Sequence, residues 1–341
     1  MIRHWLVLLL AALPLGLLEA GSVRDTAIVD LTFDEKSGAA VDTAPGGHVA
    51  NTGQLTGGAR RVPSPFPNET GSRALLLEAS RKQLVRISSS QDTSRPGAAT
   101  VAFLFVNLHG PADATMHGLV AKRSTDKTGR TNYGINFQPK SDLLQLYVND
   151  GSGFRTIMFS AKSTLGTRRR IHLVASFAVG DAPGADKDTD ADDIRIRLFI
   201  NGKPVASTKQ SKPALAVGAD TWLLDIKPAG LVNTDAVTIG ASTPTIEHTS
   251  GVFDEFQLFG HELTAEESGR LFTEVVGTDG GKRIAQDQKP VAGLPAVPSI
   301  SNLSLRGLQI GKSTRLSISG KNLAAAATLL SSIPGLTSRV V

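Results

Sequence analysis

The sequence predicts an all-β protein: an antiparallel two-sheet sandwich with one short helix near its end and a partial β segment beyond it. Three observations carry this. From Ala27 onward the apolar residues fall in short alternating runs, the period of half-buried strands. Clusters of glycine, proline, asparagine and aspartate separate the runs and supply turn conformations. Helical periodicity is confined to one stretch after residue 263.

The chain opens on Met1-Ile2-Arg3-His4, an apolar run from Trp5 to Leu18, and small residues at Ala20, Gly21 and Ser22. A basic start, an apolar middle and a small-residue exit form a secretory signal peptide pattern, with cleavage expected after Ala20. Pro14 and Gly16 interrupt the run, which is shorter than the about 20 residues a membrane span requires. No membrane span is expected once the leader is removed.

Strands are expected at Ala27–Phe33, Ala74–Leu77, Leu84–Ile87, Thr100–Leu108, Gly118–Lys122, Tyr133–Gln138, Leu143–Val148, Arg155–Ser160, Arg170–Ala178, Ile194–Ile200, Ala236–Ile239 and Val252–Phe259. In Ile194–Ile200 apolar residues alternate with Arg195 and Arg197, giving one apolar and one wet face. Asn201-Gly202 then fits a type I′ turn, whose two central residues both need positive φ. Thr264, with Glu267 three residues on, forms a capping box that opens a short helix to about Phe272. From Gly277 to Pro298 the polar, proline-spaced sequence reads as a linker, and Ser299–Val341 is too short to bury a sandwich core alone. The expected division is a leader at 1–20, a sandwich at 21–277, a linker at 278–298 and a partial β unit at 299–341.

Composition narrows the function. The 36 basic and 31 acidic residues nearly balance, at a net charge of +5, so nucleic acid is not an expected partner. The one dense basic cluster, Arg168-Arg169-Arg170, lacks interleaved aromatics and reads as a solvated turn before a strand. With no cysteine in the chain, disulfides, thiolate catalysis and cysteine-bound zinc are all excluded.

The strand order, with several of its motifs, resembles the laminin-G-like, concanavalin-A-type jelly roll of secreted bacterial proteins over Ala27 to Val276. The strongest match is Gly251-Val252-Phe253-Asp254-Glu255-Phe256-Gln257-Leu258-Phe259 followed by Leu263-Thr264-Ala265-Glu266-Glu267, similar to that family's closing strand and helix. Ile171–Ala175, Leu198–Lys203 and Phe33-Asp34-Glu35 are weaker matches, and the tryptophans the family often carries near Phe103 and His172 are missing. The segments Pro298–Leu303 and Gly311–Leu323 resemble the first strands of an immunoglobulin-like domain of the plexin and transcription-factor type.

No catalytic constellation emerges. A glycosidase on this fold needs two carboxylates facing one bond, about 5–9 Å apart, whereas adjacent Asp254 and Glu255 on a regular strand point to opposite faces. Gly-x-Ser-x-Gly and His-Glu-x-x-His are absent, and His172, among apolar neighbours, reads as structural. Calcium is the expected cofactor, at the run containing Asp186, Asp188 and Asp190 by spacing, and at Asp254 by resemblance. Each has a plainer reading: a solvated hairpin tip for the run, and a carboxylate accepting backbone N–H bonds for Asp254. Trp222 and Tyr133 are the candidate ligand-stacking aromatics, with burial in the core as the alternative. The expected function is a secreted or cell-surface module that binds a glycan or extracellular protein through loops at one sandwich edge. The alternatives are a spacer domain of a larger surface protein and, third, a glycoside hydrolase.

Overall fold

A computed structural model describes residues 21–45, 51–67, 71–94, 97–161, 166, 168–180, 193–210, 215–216, 221–226, 228–286, 291, 294, 299–303 and 318–321. Residues 1–20, where a leader is expected, and most of the segment after 303 therefore lie outside the described residues. In chain order the strands are β1 (Ala27–Leu31), β2 (Gly53–Thr56), β3 (Arg60–Pro63), β4 (Arg73–Leu77), β5 (Leu84–Ile87), β6 (Ala98–Asn107), β7 (His117–Arg123), β8 (Thr131–Gln138), β9 (Leu143–Asn149) and β10 (Phe154–Ser160). There follow β11 (Arg170–Gly180), β12 (Asp193–Ile200), β13 (Lys203–Pro204), β14 (Ser207–Gln210), β15 (Leu215–Ala216), β16 (Trp222–Asp225), β17 (Val237–Ile239), β18 (Gly251–Phe259), helix α1 (Ala265–Gln286), β19 (Ser299–Leu303) and β20 (Ile318–Lys321).

Two antiparallel sheets form the sandwich. One runs β15-β16-β12-β11-β6-β18-β4-β3, with β1 also on β18 and β13 on β12; the other runs β14-β10-β9-β8-β7-β17-β5-β2. Their facing sides interdigitate Phe103, Phe105, Phe253, Ile135, Phe137, Phe159 and Val237, all fully buried. The first sheet is apolar on its outer face as well, where Val174, Phe199, Leu104 and Val252 pack with Leu271, Val275 and Val276 of α1. Burial on both faces explains why β6 and β18 read as nearly continuous apolar runs.

The expected strands recur within a few residues of their predicted ends. The first stops at Leu31 because Phe33, although buried, takes a left-handed φ of 60°. The hairpin forms as its turn chemistry dictates, with Asn201 and Gly202 at φ of 52° and 71° and Ile200 opposite Lys203. The capping box closes reciprocally: Glu267 N–H donates to Thr264 Oγ1 at 3.1 Å, and Thr264 N–H to Glu267 Oε2 at 2.8 Å.

Two expectations are corrected. The helix does not end near Phe272, and residues 277–286 are not linker: helical turns continue to Gln286 across a kink at Gly277, whose φ is 69°. Glycine at the kink lets the second piece stay against the sheet, where Ile284 is buried. The arginine triplet is not a free turn either. Arg168 Nη1 donates to the carbonyls of Val291 and Leu294 at 3.3 and 3.0 Å, and Arg170 Nε to that of Pro65, so the charges hold passing backbone in place. In the C-terminal segment, β19 and β20 pair as a separate two-stranded antiparallel sheet.

Candidate functional site

The two ends of β6 carry the two concave or convergent features of the described sandwich. Because β6 lies between β11 and β18, the start of β6 meets the exits of both neighbours. There an open groove of about 630 Å³ is floored by Gly97, Ala98, Ala178 and Gly260 and rimmed by Gln91, Asp92, Arg195, His261 and Glu262. Small side chains keep the floor low, and the rim supplies donors and acceptors. Glu262 accepts from Arg195 Nε at 2.9 Å and Nη2 at 2.6 Å, which holds the guanidinium in one orientation. Gly180 of β11 pairs with Asp193 of β12.

At the other end of β6, roughly 30 Å away along the strand, two histidine rings stack at 3.5 Å between centroids. Asn107 Oδ1 accepts the His109 N–H at 2.8 Å and turns His109 inward as the strand ends. His117 begins β7, and Asp113 lies on the turn between them, with its carbonyl accepting the Lys140 N–H at 2.8 Å. One carboxylate oxygen, Asp113 Oδ2, stands 3.1 Å from His109 Nδ1 and 2.9 Å from His117 Nε2. The three ligand atoms lie within 4.8 Å of one another, and among the described residues they are the one such set of His, Asp or Glu. Both rings are buried while Asp113 is partly exposed, so the set opens to solvent through the carboxylate. Burial, reinforced by the neighbouring His117, lowers the His109 pKa to about 4 and keeps that ring neutral at pH 7. Burial works against the Asp113 carboxylate, yet the Thr115 N–H and the His117 ring hold it below its ordinary range. Two imidazoles and a carboxylate are donors suited to a divalent transition metal.

Asp254 is fully buried and accepts the Ser64 hydroxyl at 2.7 Å and the Glu255 N–H at 3.1 Å. It does not belong to the converging set of ligand atoms. The Asp-Glu pair marks a pivot: β18 pairs with β4 through Gly251–Phe253, breaks register between Asp254 and Gln257, and pairs with β1 through Phe256–Phe259. Glu255 takes φ of 50° at that bulge and pairs with Arg24. Asp186, Asp188 and Asp190 lie outside the described residues. Trp222 lies on a strand, opposite Ile196, and its side chain is outside the described set. Tyr133 cannot stack on a ligand: it is 0% exposed, in the core beside Phe177, because β8 turns it between the sheets. His172 is structural, buried and stacked on Phe272 at 5.5 Å.

The sequence did contain a signal for the histidine set. His109, Asp113 and His117 recur every four residues in the connection between two strands, a regular spacing with no helix to explain it. The groove residues come from four separate segments and carry no such mark.

No family model matches the chain, and no curated protein does. Solved structures match at the level of fold. The binding domain of Paraclostridial Mosquitocidal Protein 1 aligns at a TM-score of 0.51 and 13% identity, covering 74% of this chain and 53% of that one. A point mutant of HCR D/C VPI 5995 aligns at 0.52 and 14% identity, with the same coverage of each chain. HCR/D-Sa-GBL1/C aligns at 0.50 and 14%, again over 74% and 53%. The alignments thus take in about half the length of the structures they match. Among the described residues no helix is long and apolar enough to cross a membrane.

Proposed function

We propose that this chain is an exported, non-catalytic recognition module whose groove at the start of β6 takes a glycan. The observation that carries the reading is the groove itself: an open surface lined by Gly97, Ala98, Ala178 and Gly260, with Arg195 and Glu262 paired at it. Such a surface offers hydrogen bonds to hydroxyls, which suits a polar ligand better than an apolar one. Glu262 is engaged by Arg195, with Arg197 Nη1 3.8 Å away, which disfavours it as the free acid or base of glycoside hydrolysis. The fold of a toxin's binding domain is compatible with this reading, and export rests on the N-terminal pattern of residues 1–22. Calcium at the aspartate run 186–193 belongs to the same proposal, on the spacing of its carboxylates in the sequence.

The test is a glycan array with the full chain, followed by titration calorimetry of the best ligand against wild type and Arg195→Ala. The expected result is saturable binding that weakens at least tenfold in the variant while thermal unfolding stays unchanged. Equal affinity in the two proteins moves the site elsewhere. Cleavage of the sugar overturns the non-catalytic reading, and an empty array favours a protein ligand or a spacer role.

A further inference from the structure

We propose that His109, Asp113 and His117 bind one divalent transition metal ion of the zinc class, which closes the β6–β7 connection on itself. Three observations lead there. His117 Nδ1 is 2.8 Å from the carbonyl oxygen of His248, which can only accept, so that nitrogen carries a hydrogen. The other nitrogen, Nε2, therefore faces the Asp113 carboxylate at 2.9 Å, where either its own proton or a metal ion can stand between the two. A second imidazole nitrogen, His109 Nδ1, converges on the same oxygen.

The dimensions fit. With metal–nitrogen bonds of about 2.0–2.1 Å, neighbouring ligand atoms in a tetrahedron stand about 3.3 Å apart. The separations of 2.9 and 3.1 Å need to open by only a few tenths of an ångström, and the two rings, stacked at 3.5 Å, must turn apart so that both nitrogens meet the ion in the plane of their rings. The supporting contacts are of the kind that orient ligands: the His117 ring N–H is held by a backbone carbonyl, and Asp113 Oδ1 accepts the Thr115 N–H at 2.9 Å. Two nitrogens and one oxygen favour zinc, cobalt or nickel over calcium, which takes oxygen ligands. Three protein ligands leave a fourth position for water on the exposed Asp113 side.

Coordination also requires a change of tautomer. His109 Nε2 accepts the Ser250 N–H at 2.8 Å, which places the ring proton on Nδ1. Metal at Nδ1 displaces that proton, and the neutral ring then carries its hydrogen on Nε2, where Thr249 Oγ1 lies 3.2 Å away as acceptor. The Ser250 N–H loses its partner, so its amide reports directly on occupancy.

The experiment uses the full chain, purified without a histidine tag and stripped with EDTA, titrated first with Co²⁺ and then with Zn²⁺. Expected are one equivalent of Co²⁺ with visible tetrahedral absorption, its displacement by Zn²⁺ but not by millimolar Ca²⁺, and a shift of the Ser250 amide resonance. His109→Ala and His117→Ala each abolish the absorption, and Asp113→Asn weakens binding at least tenfold. Arg195→Ala leaves it unchanged, which separates this site from the groove. Absence of the cobalt spectrum, an unmoved Ser250 amide in wild type, or undiminished binding in folded His117→Ala would each overturn the proposal. The amide readout needs no variant, so a substitution that fails to fold does not block the test.

Discussion

Arg24 Nη2 lies 2.7 Å from Glu255 Oε2, fastening the turn before β1 to the bulge in β18. The same guanidinium reaches Asp30 through Nε at 2.7 Å and Nη2 at 3.1 Å, and Gln257 Nε2 donates to Asp30 Oδ1 at 3.2 Å. Where the closing strand changes partner, a small polar network occupies space that ladder bonds would otherwise fill.

That network makes stability depend on pH. Burial pushes the Glu255 carboxyl up to about 7 from an ordinary 4.5, although Arg24 pulls the other way. Between those values the unfolded chain releases a proton that the native state keeps, so stability is fully present below 4.5 and is lost as pH rises through 7. The loss is on the order of 3 kcal/mol. Urea unfolding from pH 4 to 8 should show this falling limb in wild type and a flattened one in Glu255→Gln; equal slopes would refute the assignment.

His172 predicts the opposite slope. Its ring is fully buried, with no hydrogen-bond partner at either nitrogen among the described residues, and burial lowers its pKa to about 3. The unfolded chain takes up a proton near 6.5, so the contribution to stability is present above 6.5 and is lost as pH falls toward 3. His172→Phe removes the titration and two unpaired polar atoms and should stabilise the protein at pH 7 by about 1 kcal/mol. A lower melting temperature in the variant would contradict this.

Two glycines separate a soft obstacle from a hard one. A Cβ on Gly134 would stand 2.2 Å from Cζ of the buried Tyr147 ring that lies opposite it. On Gly118 it would stand 2.1 Å from the backbone nitrogen of Ser242. Each Ala variant should lose roughly 1–3 kcal/mol or more, with Gly118→Ala the worse because main chain cannot turn aside. Denaturant midpoints of the two variants rank them; a neutral Gly118→Ala would show that the two segments can part.

The helix start can be measured separately. Thr264→Ala removes the hydroxyl that accepts the Glu267 N–H and should cost about 1 kcal/mol in chemical unfolding. Glu267→Ala, which loses the reciprocal bond, should not add its full effect in the double variant, since the two residues form one unit.

The strands were legible because period-two alternation and turn residues are local properties, and Asn201-Gly202 and Thr264-Glu267 adopt the geometry their chemistry implies. The short edge strands β2, β3 and β13 to β16 were not, since their partners rather than their own propensities make them strands. The length of α1 was hidden by Gly277 and Gly280-Gly281, which local rules read as a loop but which the sheet's outer apolar face retains as helix. The site was less legible than the fold. Asp254 drew attention as a candidate metal ligand, whereas it and Glu255 sit where β18 changes strand partner. Convergence of His109 and His117 on Asp113 depends on a turn whose shape no local spacing rule specifies.

The placement of β18 bears on the order of folding. It is the last strand of the sandwich to leave the ribosome, yet it lies inside the first sheet and joins β6 to both β4 and β1. Until residue 259 emerges, those three strands lack the neighbour that unites them. The delay leaves apolar strand edges uncovered, so the unfinished chain is prone to aggregation.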